Sequence, residues 1–242
     1  MRSYLMPTDP SASATLSLPL LPLRDVVLFP GIDTTLFLGR ASTRRAAATA
    51  IGGDGRIAAV TQRSGQLETV TRADLHDIGV MASVKSMVRL PDGNLKVVVY
   101  GMQRIHVHGV SDGALYQELH ADPVEELVTA VPGDSQELLE AVAAQGPPLR
   151  ARLPDAIFAS PPRLGNAGYV ADKIAAHAPG LSPASRQQLL EVLDPWQRLR
   201  QSLAAVQASA NAGVDLPEAL EVVREWLERR IPTPGHEGAP EG

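Results

Sequence analysis

His106 and His108 stand two residues apart in a stretch that alternates apolar and polar residues, which puts both imidazoles on one strand face. Such a pair could ligate a metal. No cysteine occurs in the chain and no carboxylate cluster accompanies the pair, so a solvated strand face explains it better, and no metal or other cofactor is expected. Ser83 and Lys85 share a polar face two residues apart. A nucleophile there would need a base, an oxyanion hole and a pocket, so a surface pair is the simpler reading. Glu125-Glu126 could act as acid and base but reads as the solvated end of a strand. The pairs Arg44-Arg45 and Arg229-Arg230 are short and scattered. With a net charge of -5 they do not make the basic stripe that nucleic acid requires. Trp196, Leu199, Leu203 and Val206 recur at helical spacing, as core residues do.

The elements that would position these residues follow from the pattern. Leu18-Pro-Leu-Leu-Pro-Leu-Arg-Asp-Val-Val-Leu-Phe-Pro-Gly31 organises the N-terminal half. Pro19 and Pro22 fix φ and bias the leucines before them to extended geometry, so Leu18–Leu23 reads as an edge or irregular strand. Pro30-Gly31 then turns the chain. Thr34–Leu38 and Ile57–Thr61 are strand candidates. Between them lies a helix capped by Ser42 or Thr43 and ended by Gly52-Gly-Asp-Gly55. Thr71 with Asp74 forms a capping box for one short turn. The strongest signal is a long antiparallel hairpin. Val80, Ala82, Val84, Val88 and Leu90 share one face, and Leu95, Val97, Val99, Ile105 and Val107 continue it on the second strand. Ser83, Lys85, Arg89, Lys96, Arg104, His106 and His108 lie on a wet face that Val98 and Tyr100 make only partly polar. Gly101 marks a bulge or bend. Leu115–Ala121 adds a strand.

Near Glu126 to Gly133 the period changes from two to helical. Asp134 with Glu137 opens a helix to about Gln145, and Leu149–Phe158 is ambiguous, broken at Pro154. Asn166 precedes a helix to Ala178. Ser182-Pro183 and Asp194-Pro195 each place proline at a first helical position. Asp215 with Glu218 opens the last helix. With 242 residues and 44% hydrophobic content the chain has ample core, and no internal repeat is visible. No stretch reads as a signal peptide or a membrane span, so a cytoplasmic protein without membrane or nucleic-acid partners is expected.

Four stretches, in order over roughly Leu18 to Val206, resemble the N-terminal domain of Lon proteases. The first is Pro22-Leu-Arg-Asp25, three apolar residues, then Phe29-Pro-Gly31. The second is Leu36-Phe-Leu-Gly-Arg40, with Thr35 where the family has proline. The third is Leu90-Pro-Asp-Gly-Asn-Leu-Lys-Val-Val-Val-Tyr-Gly-Met-Gln-Arg104. The fourth is helical, with Ala171-Asp-Lys-Ile-Ala175, Gln188-Leu-Leu-Glu191 and Asp194 before Arg198-Leu199.

The resemblance implies an α+β fold: a β-rich N-terminal lobe of twisted antiparallel sheets, a pseudo-barrel, over residues 17–130, and a helical bundle over 131–231. Residues 1–16 read as a flexible leader and 232–242 as a disordered tail. Full-length Lon also carries a nucleotide-binding loop with Gly-Lys and a serine-lysine protease site. This chain has no Gly-Lys dipeptide, and Pro91-Asp-Gly93 is followed by Asn94, with no serine. The expected role is therefore a non-catalytic, free-standing module that binds unfolded or exposed polypeptide. An assembly or regulatory subunit of a separate protease, with a homo-oligomer or protease as partner, is the alternative; a small hydrolase ranks third. By motif position the resemblance assigns polypeptide contacts to Arg40, Tyr100, Met102, Arg104 and Tyr116.

Overall fold

A computed structural model of the chain describes residues 15–64, 67–127, 130–135, 137, 138, 140, 166–178 and 180–211. The described strands are β1 (Leu16–Leu23), β2 (Asp33–Leu38), β3 (Arg56–Thr61), β4 (Ile78–Arg89), β5 (Leu95–Asp112) and β6 (Gln117–Pro123). Among the described residues the complete helices are α1 (Ala41–Gly52), α2 (Ala167–His177), α3 (Pro183–Glu191) and α4 (Pro195–Asn211), with a 3-10 turn at Arg72–Asp74. Two compact units contain them. One holds residues 15–127 together with 182–195; the other holds the described residues from 130 to 181 and from Trp196 onward. Helix α3, expected within the C-terminal bundle, thus belongs to the strand-rich unit. The expected last helix, the tail, the segment 149–158 and residues 1–14 of the leader lie outside the described residues. Leu16, expected in that leader, instead opens β1 opposite Ala121.

The strand-rich unit is one sheet ordered β2-β5-β4-β3-β1-β6, in which β6 pairs again with β5. The strands from β5 round to β6 therefore close on themselves, and β2 is left at the margin. This is the expected pseudo-barrel with one correction: β1 pairs with β3 in parallel, and the other pairs are antiparallel. A parallel pair needs a crossover, which β2 and α1 supply. Strand β1 is flanked on one side at a time. Leu16–Pro19 pairs with β6 and Leu20–Leu23 with β3. That arrangement accommodates two residues without an N–H.

Three single-residue bulges set the faces of the long hairpin. The register shifts leave Lys85 unmatched on β4, and Met102 and His108 unmatched on β5. Each bulge reverses the in-out alternation beyond it. Past Lys85, Val88 pairs with Lys96 and is 57% exposed, although simple alternation placed it inside. Past Met102, Arg104 pairs with Val80 and joins the face of Val97 and Val99, buried at 3% exposure rather than on the wet face. Ile105 and Val107 turn the opposite way, into an apolar cluster with Leu18, Leu20, Val60, Leu75 and Leu119.

Gly101 sits where the chain must come closest. Gly31 N donates to Gly101 O at 2.8 Å, and Gly101 N donates to Ile32 O at 3.0 Å. A Cβ at Gly101 would lie 2.1 Å from the Phe29 carbonyl oxygen. The Phe-Pro-Gly turn, with Gly31 at φ 74°, therefore docks on bare backbone. Helix α1 packs Ala46, Ala47 and Ala50 inward. It begins after Arg40 and not at Ser42 or Thr43: Thr43 Oγ1 donates back to Arg40 O at 3.0 Å.

In the second unit, Trp196, Leu199, Leu203 and Val206 pack with Val170, Ala171, Ile174 and Leu138. The expected apolar stripe is therefore core. Arg198 Nε lies 3.0 Å from Asp172 Oδ1, and both side chains are almost fully buried. Arg200 pairs with Asp134 at 2.6 Å. No described helix is long and apolar enough to cross a membrane.

Candidate functional site

The outer face of β2, β5 and β4 carries residues in cross-strand rows. Asp33, Tyr100 and Ser83 form one row, Thr35, Val98 and Ser86 the next, and Phe37, Lys96 and Val88 the third. Phe37 is 67% exposed. With Val88, and with the half-buried Val98 and Tyr100, it makes an apolar strip on a sheet face that also carries charge. Lys85, pushed out by its bulge, lies 4.4 Å from the Tyr100 ring centroid and 3.1 Å from Asp33 Oδ1. The ammonium thus sits between the Tyr100 ring and the Asp33 carboxylate. Met102, one residue past Gly101, stands clear of the ladder at 44% exposure.

A cavity of about 570 Å³ adjoins this face. Its walls are Leu21–Val26 at the end of β1 and Thr35–Arg40 along β2, with Thr43 and Glu68. Among the described residues Leu20–Leu23 pairs with no strand on the side away from β3, so the sheet opens between β1 and β2. Arg40 bridges the opening at one end. Its guanidinium donates to Pro22 O at 2.7 Å and to Leu67 O at 2.8 Å. Burial, and secondarily Arg24, lower its pKa from the usual arginine range.

The phase of the β2–β5 ladder follows from the Gly101-to-Ile32 bond. Thr34 and Leu36 exchange bonds with Val99 and Val97. Asp33, Thr35 and Phe37 turn their N–H and C=O groups away from β5. Among the described residues these outward groups have no partner. Thr35, standing where the resemblance has proline, keeps a donor there.

Of the residues assigned from sequence, the structure brings together Tyr100 and Met102. Arg40 lines the cavity but is committed to three backbone carbonyls, those of Pro22, Leu67 and Glu68. Arg104 is buried: its Nε donates to Leu190 O at 2.8 Å and its Nη1 lies 3.4 Å from Glu126 Oε1. A guanidinium so placed fastens α3 to β5 and offers no surface to a ligand. Tyr116 lies in the turn before β6, not on the strand expected from Leu115. It follows Asp112, ten residues along β5 from Met102, roughly 30 Å of strand. Phe37 and Val88 are exposed on this face and carry no assignment from the sequence. The exposure of Phe37 could have been read from its place between Leu36 and Leu38, both buried.

The other candidates resolve into local pairs. His108 Nε2 lies 2.8 Å from Asp122 Oδ2, and the His106 and His108 rings are 4.9 Å apart. The His108 hydrogen bond holds the Asp122 carboxyl below its ordinary value. No group of three or more potential metal ligands occurs among the described residues. Arg44 and Arg45 of α1 meet Arg89 of β4 around a second cavity of about 350 Å³, where Arg44 Nη1 donates to Gly93 O at 2.5 Å.

The chain is 36% identical over 200 residues to the Lon protease of Xanthomonas oryzae, matching 80% of this chain and 23% of the relative. It is 30% identical over 227 residues to the Lon protease of Escherichia coli K12, matching 92% of this chain and 28% of the relative. The chain thus spans about a quarter of the length of these relatives. Among solved structures, the N-terminal domain of the Mycobacterium avium complex Lon protease superposes with a TM-score of 0.61 at 21% identity. That match covers 79% of this chain and 98% of the other. The Lon N-terminal domain protein from Xanthomonas campestris gives a TM-score of 0.56 at 19% identity, covering 78% and 98%. These two likenesses establish the fold. Residues 17–208 match the family described as the ATP-dependent protease La (LON) substrate-binding domain, and the chain belongs to that family.

Proposed function

We propose that this chain is a non-catalytic module that binds exposed or unfolded polypeptide, within protein quality control. The observation that carries this reading is the outer face of β2, β5 and β4. There Phe37, Val88, Val98, Tyr100 and Met102 supply apolar and polarizable surface beside an open cleft. Large rings and a flexible thioether adapt to varied side chains, as promiscuous recognition requires. The site offers polypeptide a surface rather than a reaction centre. Lys85 is engaged by Asp33 and Tyr100, and Ser83 has no base beside it among the described contacts. The absence of a Gly-Lys dipeptide supports the same reading.

Ordering a floppy ligand costs free energy, so the expected affinity is on the order of micromolar or poorer. The test is titration with reduced, carboxymethylated α-lactalbumin, which stays unfolded, and with the native protein. Saturable binding of the unfolded form alone supports the reading. Equal, negligible binding of both forms overturns it and leaves the assembly-subunit alternative. ATP hydrolysis and casein cleavage by the purified chain are expected at background.

A further inference from the structure

The outward N–H and C=O groups of β2 face a cleft whose opposite wall is the one-sided end of β1. In a sheet that otherwise closes on itself, this is a gap between two strand edges. Natural edges are normally blunted by proline, by inward charge or by a covering element. On β2 the outward positions are Asp33, Thr35 and Phe37. None is proline, and Phe37 is among the most exposed apolar side chains described. Main-chain donors and acceptors in a row are complementary to another main chain and to little else. The cleft's charges, Arg24 and Arg40 against Asp25 and Glu68, balance, so its lining does not select one sign of ligand. Arg40 is tied to backbone carbonyls and so shapes one end of the slot without filling it.

We propose that an extended segment of client polypeptide adds as a strand to the free edge of β2, paired with the backbone of Thr35 and Phe37. The inference rests on the polypeptide-binding reading and places its contacts. Affinity then comes from main-chain hydrogen bonds that any non-proline sequence can make. Alternate client side chains meet Phe37 on one face and the cleft beside Val26 on the other. Recognition of unfolded chains without a sequence motif follows, because a folded protein has already paired its backbone.

The probe is carboxymethylated α-lactalbumin, and two readouts use the full chain. The first is affinity. Thr35→Pro removes an outward donor and leaves the β5-facing bonds of Thr34 and Leu36 in place. It is expected to weaken binding at least tenfold. The second is amide hydrogen exchange in the unaltered protein, which does not depend on how any variant folds. The Thr35 and Phe37 amides exchange fast alone and slow at least tenfold with the probe; the Leu36 amide is slow in both. Binding that leaves the Thr35 and Phe37 amides fast overturns the edge and retains polypeptide binding elsewhere. Absence of any binding overturns both. Protection of these amides without probe also overturns the proposal. If that protection rises with protein concentration, a second copy occupies the edge; if not, another segment of this chain does.

Discussion

The Arg104 guanidinium donates through Nε to the carbonyl oxygen of Leu190 at 2.8 Å, joining the middle of β5 to the last turn of α3. A cation at a helix C-terminus meets unpaired carbonyls and the negative end of the helix dipole. Gln187 Nε2 adds a bond to Ile78 O at 2.9 Å, fixing the same helix to β4. Arg104→Met keeps the stem's bulk and leaves the Leu190 carbonyl unsatisfied. The expected loss is about 1–3 kcal/mol, measured by urea unfolding. Binding of unfolded polypeptide by the folded variant is expected to be unchanged. A folded Arg104→Met protein that had lost that binding would return Arg104 to the contact surface.

Gly101→Ala puts a methyl group onto the Phe29 carbonyl, a contact with backbone that no rotamer change relieves. The cost is expected near the top of the overpacking range, about 3 kcal/mol. Gly52→Ala, whose Cβ meets nothing within 4 Å, serves as the control and is expected to be close to neutral or slightly stabilising. Thermal unfolding of both variants checks the difference.

Stability is expected to fall as the pH is lowered. His76 has its pKa lowered from 6.5 by burial, partly offset by Glu191 at 3.3 Å. A lowered value means that the folded state prefers the neutral ring. This contribution is full above pH 6.5 and is lost as pH falls through the folded value. Asp77, held down first by its hydrogen bond to Arg72, and Asp134, by Arg200, act with the same sign. They are full above the ordinary carboxyl value of 3.8 and lost below it. Urea midpoints should therefore drop from pH 8 to pH 5 and again toward pH 3. Glu191→Gln removes the opposing charge, so an NMR titration should show the His76 pKa lower still.

In the second unit, Asp172→Ala leaves Arg198 charged and buried without its carboxylate. Losing one partner of such a pair costs about 3–5 kcal/mol. Double substitution to apolar residues of similar volume is expected to recover most of it. A double-mutant cycle by chemical denaturation measures both.

Much of this architecture was legible in the residues. Alternation marked the β4–β5 hairpin, Thr71 with Asp74 marked the turn at Arg72, and Ser182-Pro183 marked the start of α3, where Ser182 Oγ accepts from Ser185 N at 3.1 Å. The faces were less legible, because counting by twos loses phase at each bulge. Gly101 advertised the bulge at Met102, yet nothing in the residue types at Lys85 or His108 marks an extra residue. Arg104 and Val88 exchanged environments for that reason. The open edge of β2 depends on which strands close the barrel, a long-range pairing that local pattern does not contain.

The central claim is that the outer face of β2, β5 and β4 binds unfolded polypeptide. Its most direct test is titration of carboxymethylated α-lactalbumin against wild type and a folded Phe37→Ser, Tyr100→Ala, Met102→Ala variant. Saturable binding to wild type is expected at micromolar or weaker affinity, weakened at least tenfold in the variant. Equal binding by the two proteins would contradict it.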